Sequence, residues 1–79
     1  MDRIPIAFEH EGKKFSGYFA QVMGAGSGAV WHLYDDQKYY LGQLRIGWED
    51  QWYFDESKPA NKLSGLAQFF GDYITAWVE

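Results

Sequence analysis

Residues 30–45 read VWHLYDDQKYYLGQLR, two runs of aromatic and aliphatic residues on either side of an acidic segment. Aromatic and β-branched side chains are enriched in β-strands because they fit a half-buried pleated surface. Asp35 and Asp36 suit the connection between the runs, since an Asp side chain accepts hydrogen bonds from nearby backbone amides. The stretch therefore predicts an antiparallel hairpin with strands at about residues 29–34 and 39–45.

The same alternation continues on both sides of this hairpin. Large apolar residues occupy alternate positions in residues 3–9 and again in 14–22, with Gly12 at the expected turn between them. Pro5 has no amide donor, so the first strand should lie at an edge of the sheet. Residues 51–54, QWYF, supply a fifth strand after a second turn.

The end of the chain has a helical period instead. Its apolar residues recur at steps of three and four, which is typical of an amphipathic helix and predicts one at about residues 60–77. Pro59 suits the first helical turn, and Ser57 or Asn61 suits the N-terminal cap. Gly71 lowers helix propensity by about 1 kcal/mol relative to Ala, which is tolerable if it lets the helix lie close to the sheet. The apolar positions are Leu63, Leu66, Ala67, Phe69, Phe70, Tyr73, Ile74, Trp77 and Val78.

Strands followed by a helix indicate an α+β fold. We expect a single domain over residues 1–79: a curved antiparallel β-sheet of about five strands, arranged as a hairpin and a meander, packed against one C-terminal amphipathic α-helix. One helix covers only one face of a sheet. The other face must therefore close on itself, meet a partner or remain in water.

Composition excludes several classes of protein. The chain has no cysteine, which rules out disulfides, zinc–thiolate sites and thiol nucleophiles and fits a reducing compartment. It has no signal-peptide pattern and nothing close to the roughly 18 apolar residues of a membrane span. We therefore expect a cytoplasmic protein without membrane association. The net charge of −4 is spread without a basic stripe, which disfavours nucleic acid as a partner.

Aromatic residues make up 20% of the chain, more ring surface than one small core usually needs. Neighbouring rings such as Tyr39 and Tyr40 point to opposite faces of a strand, so some rings must leave the core. On a regular strand Tyr40 and Leu44 share one face and Leu41 takes the other. Trp48 is placed in a turn, where burial is hardest. The candidate partner-binding or ligand-binding residues are Tyr39, Tyr40, Trp48, Tyr53 and His32.

The polar candidates have simpler structural interpretations. His32 could act as a base, but a single histidine within a strand is more often a hydrogen-bonded residue of the sheet face. Alternate turns of a meander fall at the same end of the sheet, which gathers Asp35, Asp36, Asp55 and Glu56. Four carboxylates could hold Ca²⁺. Their spacing matches no calcium-binding loop, so we expect a solvated rim and no metal or cofactor.

These observations favour a small non-enzymatic interaction module that uses exposed aromatic residues of the sheet. Its partner would be another protein or a second copy of the chain, as a homodimer. The alternative is a small-ligand or carbohydrate-binding domain that uses the same aromatics together with the Gly24–Gly28 loop. An enzyme is disfavoured because a nucleophile, a base and an oxyanion donor cannot be named together.

Overall fold

The computed structural model describes residues 3–23, 30–47, 49, 51–57 and 62–78. These residues form one open antiparallel sheet with its five strands in chain order, followed by a 3₁₀ turn and one α-helix. The elements are β1 (Arg3–His10), β2 (Lys13–Met23), β3 (Val30–Asp35), β4 (Tyr40–Ile46), β5 (Trp52–Glu56), the 3₁₀ turn (Leu63–Leu66) and α1 (Ala67–Val78). The expected α+β architecture is confirmed.

The first hairpin closes where the sequence predicts it. His10 pairs with Lys13 across a two-residue turn. Both turn residues have positive φ, 52° at Glu11 and 82° at Gly12. Such a turn matches the twist of the flanking strands, and glycine adopts its second position without steric cost. The turn therefore fixes the register of the whole β1–β2 pair.

The core lies between α1 and one face of the sheet, which we call the inner face. Phe70 of α1 is fully buried at its centre. The Phe70 ring lies 5.2 Å from Phe8, 5.4 Å from Phe19 and 5.0 Å from Phe54, in each case edge to face. Edge-to-face packing is a favoured geometry for aromatic pairs. The other buried residues are Ile4, Ile6, Trp31, Leu33, Leu41, Leu44, Leu63, Ala67 and Ile74.

A β-bulge in β4 corrects the expected side-chain alternation. Leu33 pairs with Gly42, whereas the next residue, Tyr34, pairs with Tyr40, so Leu41 is the extra residue of the bulge. Leu41 is 8% exposed and belongs to the core, as does Leu44. The expectation that Leu41 and Leu44 lie on opposite faces is wrong, and Tyr40 is the residue that points away from the core.

Gly71 does let the helix approach the sheet. A Cβ atom on Gly71 would lie 2.3 Å from three atoms of the Trp52 indole. Trp52 is half-buried and packs against the core from β5. The absence of a side chain at Gly71 is therefore what allows the indole to lie directly against the helix backbone.

The helical segment differs from its prediction at both its start and its surface. Lys62 has φ 56°, outside the helical region, so the segment begins at Leu63 as a 3₁₀ turn and not at residue 60. The Ser57 hydroxyl donates to the carbonyl oxygen of Tyr40 at 2.9 Å, and Ser57 is therefore not the cap. Pro59 and Asn61 lie outside the described residues. Phe69 is 46% exposed, so the buried stripe is narrower than the sequence pattern indicates.

Candidate functional site

The face of the sheet opposite to α1, which we call the open face, carries the tyrosines that the core does not use. None of the described elements packs on it. Cross-strand pairing joins Tyr18 of β2 to Tyr34 of β3, and Tyr34 to Tyr40 of β4. Alternation along the strands places these side chains away from the core residues between them. Three neighbouring strands thus present tyrosines side by side.

Four rings on this face contact one another and form what we call the ring cluster: Tyr18, His32, Tyr34 and Tyr40. The Tyr18 and Tyr34 rings are stacked, with centroids 5.4 Å apart. The Tyr40 ring lies 5.9 Å from Tyr34 and 5.0 Å from His32. These spacings fall in the range over which aromatic pairs attract. Each ring is therefore held by its neighbours and has few rotamers left to lose on binding.

The histidine of the cluster is fixed from both sides. His32 Nε2 lies 3.3 Å from the amide oxygen of Gln43. Because an amide oxygen can only accept, Nε2 is the donor of this hydrogen bond. The other ring nitrogen of His32, Nδ1, lies 3.4 Å from the hydroxyl oxygen of Tyr34. The histidine is thus a hydrogen-bonded residue of the sheet face, as the sequence favours.

Two guanidinium groups flank the cluster. Arg3 lies over the Tyr18 ring at 4.9 Å from its centroid, and Arg45 lies over the Tyr53 ring at the same distance. Both distances are within the range of cation–π attraction. Arg45 Nε also lies 3.2 Å from a carboxylate oxygen of Asp55. The open face therefore combines apolar rings with oriented charged groups at its margins.

The hydroxyl of Tyr40 has a raised pKa. Partial burial raises the pKa of its hydroxyl, and the neighbouring Tyr34 and the Asp55 carboxylate act in the same direction. Each of these effects disfavours the phenolate. Tyr40 therefore stays neutral at physiological pH and presents a hydroxyl that donates a hydrogen bond.

The five sequence-predicted site residues do not all meet. His32 and Tyr40 lie in the ring cluster, and Tyr53 lies on the same face, on edge strand β5. Tyr39 belongs to the β3–β4 turn and is 65% exposed. Together with Tyr40 it lines a shallow cavity of about 430 Å³ at the end of the sheet. Trp48 and the Gly24–Gly28 loop lie outside the described residues.

Sequence reasoning did not select four residues that complete this surface: Arg3, Tyr18, Tyr34 and Arg45. The alternation of side chains along each strand gives the face on which Tyr18 and Tyr34 lie, but it does not give their neighbours on the next strand. Only the register between β2 and β3 brings the two rings into contact, and the segment that connects these strands contains no signal for that register. The two arginines are recognisable only once the rings beneath them are located.

Two of the four carboxylates expected at one end of the sheet, Asp35 and Glu56, stabilise local structure. Asp35 accepts hydrogen bonds from the backbone amides of Gln37 and Tyr39, both at 2.9 Å, and so shapes the turn. A carboxylate oxygen of Glu56 accepts from the amide of Ser64 at 2.7 Å. Among the described residues, no group of three or more His, Cys, Asp or Glu side chains could hold a metal ion.

Comparison with known proteins finds no matching family model, no similar curated protein and no similar solved structure. Across the described residues, no helix has the length and apolar character that crossing a membrane would require. The open face is consequently interpreted from its own chemistry.

Proposed function

We propose that this protein is a non-enzymatic interaction domain that binds another protein through the open face of its sheet. The observation that carries this proposal is the ring cluster: four contacting rings on a face that no described element covers. Tyr18, His32 and Tyr34 are half-buried and Tyr40 is 40% exposed, so the four rings form a continuous, partly exposed surface. Such a surface on a small domain generally marks a binding site. Tyrosine and arginine are also the residue types over-represented among the hot spots of protein interfaces.

The preorganisation of the rings supports the same conclusion. Immobilising a flexible side chain at an interface costs about 0.5–1.5 kcal/mol. Tyr34 contacts rings on both neighbouring strands and a histidine on its own, so most of this cost is met within the folded domain. A face built in this way gains more free energy from contact with a partner than a set of independent exposed rings would.

The proposal is tested with three single tyrosine-to-serine variants that differ in position but not in chemistry. Tyr40→Ser and Tyr53→Ser remove rings from the open face, where the side chains are 40% and 39% exposed. Tyr39→Ser removes a ring that is 65% exposed but belongs to the turn. All three should fold, because none of these rings belongs to the core. Tyr40→Ser also loses the ring contacts with Tyr34 and His32, at a cost of about 0.5–1.5 kcal/mol for each pair.

Immobilised wild-type chain and the three variants are used to capture proteins from the source cells, and each captured protein is then purified. Calorimetry with the purified proteins, including a second copy of the chain, measures the affinities. We expect wild type and Tyr39→Ser to bind alike, and Tyr40→Ser and Tyr53→Ser to lose at least about 1.4 kcal/mol, a tenfold change. If all four chains bound the partner equally well, the open face would not be the binding site.

A small ligand or carbohydrate is the second candidate. The Tyr53 ring lies beside the guanidinium of Arg45 and the carboxylate of Asp55, which is the mixture of a flat ring and hydrogen-bonding groups that a sugar requires. Titration with a panel of glycans should then shift the NMR signals of Tyr53 and Arg45 and leave those of Tyr39 unchanged. We further propose a cytoplasmic location, from the absence of cysteine, and no nucleic-acid partner, from the net charge of −4.

A further inference from the structure

One line of residues across the open face, which we call the polar row, has opposite charges at its two ends. Consecutive strand pairings align one residue from each of the five strands. The polar row is Arg3, Ala20, His32, Gln43 and Asp55. The guanidinium of Arg3 is on edge strand β1 and the carboxylate of Asp55 is on edge strand β5. His32, on the central strand, lies midway between them.

This arrangement is complementary to itself under one particular two-fold rotation. An axis parallel to β3 reverses the order of the strands in the second copy, so that β1 faces β5 and β2 faces β4. The Arg3 end of one polar row then faces the Asp55 end of the other. In the adjacent row, by the same operation, Tyr18 faces Tyr40 and the two Tyr34 rings meet at the axis.

Resting on the proposed function, we infer that the partner of the open face is a second copy of this chain, packed sheet to sheet about a two-fold axis parallel to β3. Arg3 of each copy faces Asp55 of the other. The two ring clusters stack on one another between these charge pairs. Stacked sheets normally keep their strands within about 30° of each other at a separation of about 10 Å, which such an axis satisfies.

The perpendicular axis, along the polar row, is disfavoured by charge, although Arg45 partly neutralises each Asp55. This axis places each strand opposite the same strand of the second copy. Arg3 then faces Arg3 at one margin of the interface, and Asp55 faces Asp55 at the other. Like charges brought together at an interface oppose association.

The size of the face also agrees with a second copy as the occupant. A stable interface buries about 800 Å² on each partner. The longest dimensions of the domain are 32 Å and 25 Å, so an interface of that area needs most of one broad face. A two-fold contact centred on β3 uses all five strands, whereas a contact at one edge strand does not.

Charge exchange between two variants tests this geometry. Arg3→Glu alone places two carboxylates together at both symmetric contacts of the dimer, and Asp55→Lys alone places two cations together there. We expect each variant to dimerise roughly 10- to 100-fold more weakly than wild type, because charges facing across an interface couple strongly. In an equimolar mixture the new carboxylate at position 3 faces the new ammonium at position 55, while the native pair occupies the other contact. The mixture should therefore form a heterodimer with nearly wild-type affinity.

The matched control is Lys62→Gln, in the segment before the 3₁₀ turn and not on any of the five strands. It breaks the ion pair between Lys62 and Glu11 within one chain but leaves Arg3 opposite Asp55 in the dimer. Its dimer should weaken less than about threefold, in the range of an exposed ion pair. Sedimentation equilibrium over a range of concentrations gives the affinities, and the melting temperature of each variant verifies that it is folded.

The outcomes separate this inference from the proposed function. A wild-type chain that stays monomeric at every concentration overturns the inference and leaves the capture experiment to decide the proposed function. A dimer that Arg3→Glu does not weaken, or variants that fail to form a heterodimer on mixing, overturn the two-fold geometry. Capture of a different protein that needs Tyr40 and Tyr53, by a monomeric chain, supports the proposed function and rejects the second copy as partner.

Discussion

The contact between Gly71 and Trp52 gives the sharpest test of how the helix lies on the sheet. Replacing Gly71 by Ala adds one methyl group at a position where three atoms of the indole are already within 2.3 Å. Carbon atoms in contact are normally about 3.5–4.0 Å apart. The helix and the ring must therefore separate by more than about 1 Å to admit the methyl group.

Two opposing effects determine the free energy of unfolding of this variant. Alanine has a helix propensity about 1 kcal/mol better than glycine, which stabilises the folded state. Forcing an extra carbon into a well-packed site costs about 1–3 kcal/mol. The net change is a destabilisation of up to about 2 kcal/mol. For a domain whose total stability is about 4–12 kcal/mol, such a change is readily measured.

Gly65→Ala is the matched control, because the same substitution there meets no atom within 4 Å. It has the propensity gain without the clash, so it should leave stability unchanged or raise it by up to about 1 kcal/mol. The free energies of the two variants, from urea titrations, should thus differ by about 1–3 kcal/mol. A difference of 1 kcal/mol corresponds to about 4–8 °C in melting temperature for a domain of this size.

A melting temperature of Gly71→Ala equal to or above that of Gly65→Ala would refute the close packing of α1 on Trp52. A third variant separates the clash from any other effect. Trp52→Leu removes the ring, so adding Gly71→Ala to it should cost less than it does in wild type. The coupling free energy between the two sites should be about 0.5–3 kcal/mol, and additive behaviour would mean that the residues do not touch.

Other predictions concern the core, the bulge and the ring cluster. Phe70→Ala should cost about 3–5 kcal/mol, whereas Phe69→Ala, at the neighbouring exposed position, should cost about 1 kcal/mol or less; urea titration of both tests this contrast. Leu41→Ala should cost about 2–5 kcal/mol if the bulge buries it, and less than about 0.5 kcal/mol if regular alternation exposes it. Because burial raises the pKa of Tyr40, the unfolded chain loses its proton first as pH rises past about 10, and the free energy of unfolding falls until the pKa of the folded state is passed. Tyr40→Phe should remove that part of the decline, as measured by chemical unfolding between pH 8 and about 11.

Local patterns were sufficient to predict the elements and most of the faces. Period-two alternation along residues 30–34 places Trp31 and Leu33 on one side of the strand and His32 on the other, because side chains alternate strictly along a regular strand. Gly12 marked the first turn for a backbone reason that needs no tertiary context. The change to a helical period marked the terminal helix, although that period alone did not distinguish buried Phe70 from exposed Phe69.

The bulge and the ring cluster could not be predicted because both depend on pairing between strands. Leu41 enters the core only because two residues of β4 oppose one residue of β3 between Leu33 and Tyr34, a feature of register and not of β4 alone. Tyr18 and Tyr34 are sixteen positions apart in the sequence, and neither has a local signal for the other. A shift of the register by one residue would turn either ring toward the core.

The two faces of the sheet divide the aromatic residues by chemistry, and this division bears on the kind of association to expect. Phe8, Phe15, Phe19 and Phe54 lie on the inner face, whereas the open face carries Tyr18, Tyr34, Tyr40 and Tyr53. A phenylalanine ring exposed to water forms no hydrogen bond, whereas a tyrosine hydroxyl can form a hydrogen bond with water or with a partner. Interfaces of permanent complexes resemble the hydrophobic core of a domain cut in half and are rich in apolar residues. A face of tyrosine, histidine and arginine is instead compatible both with exposure to water and with burial in an interface. Such a face suits a partner that binds reversibly.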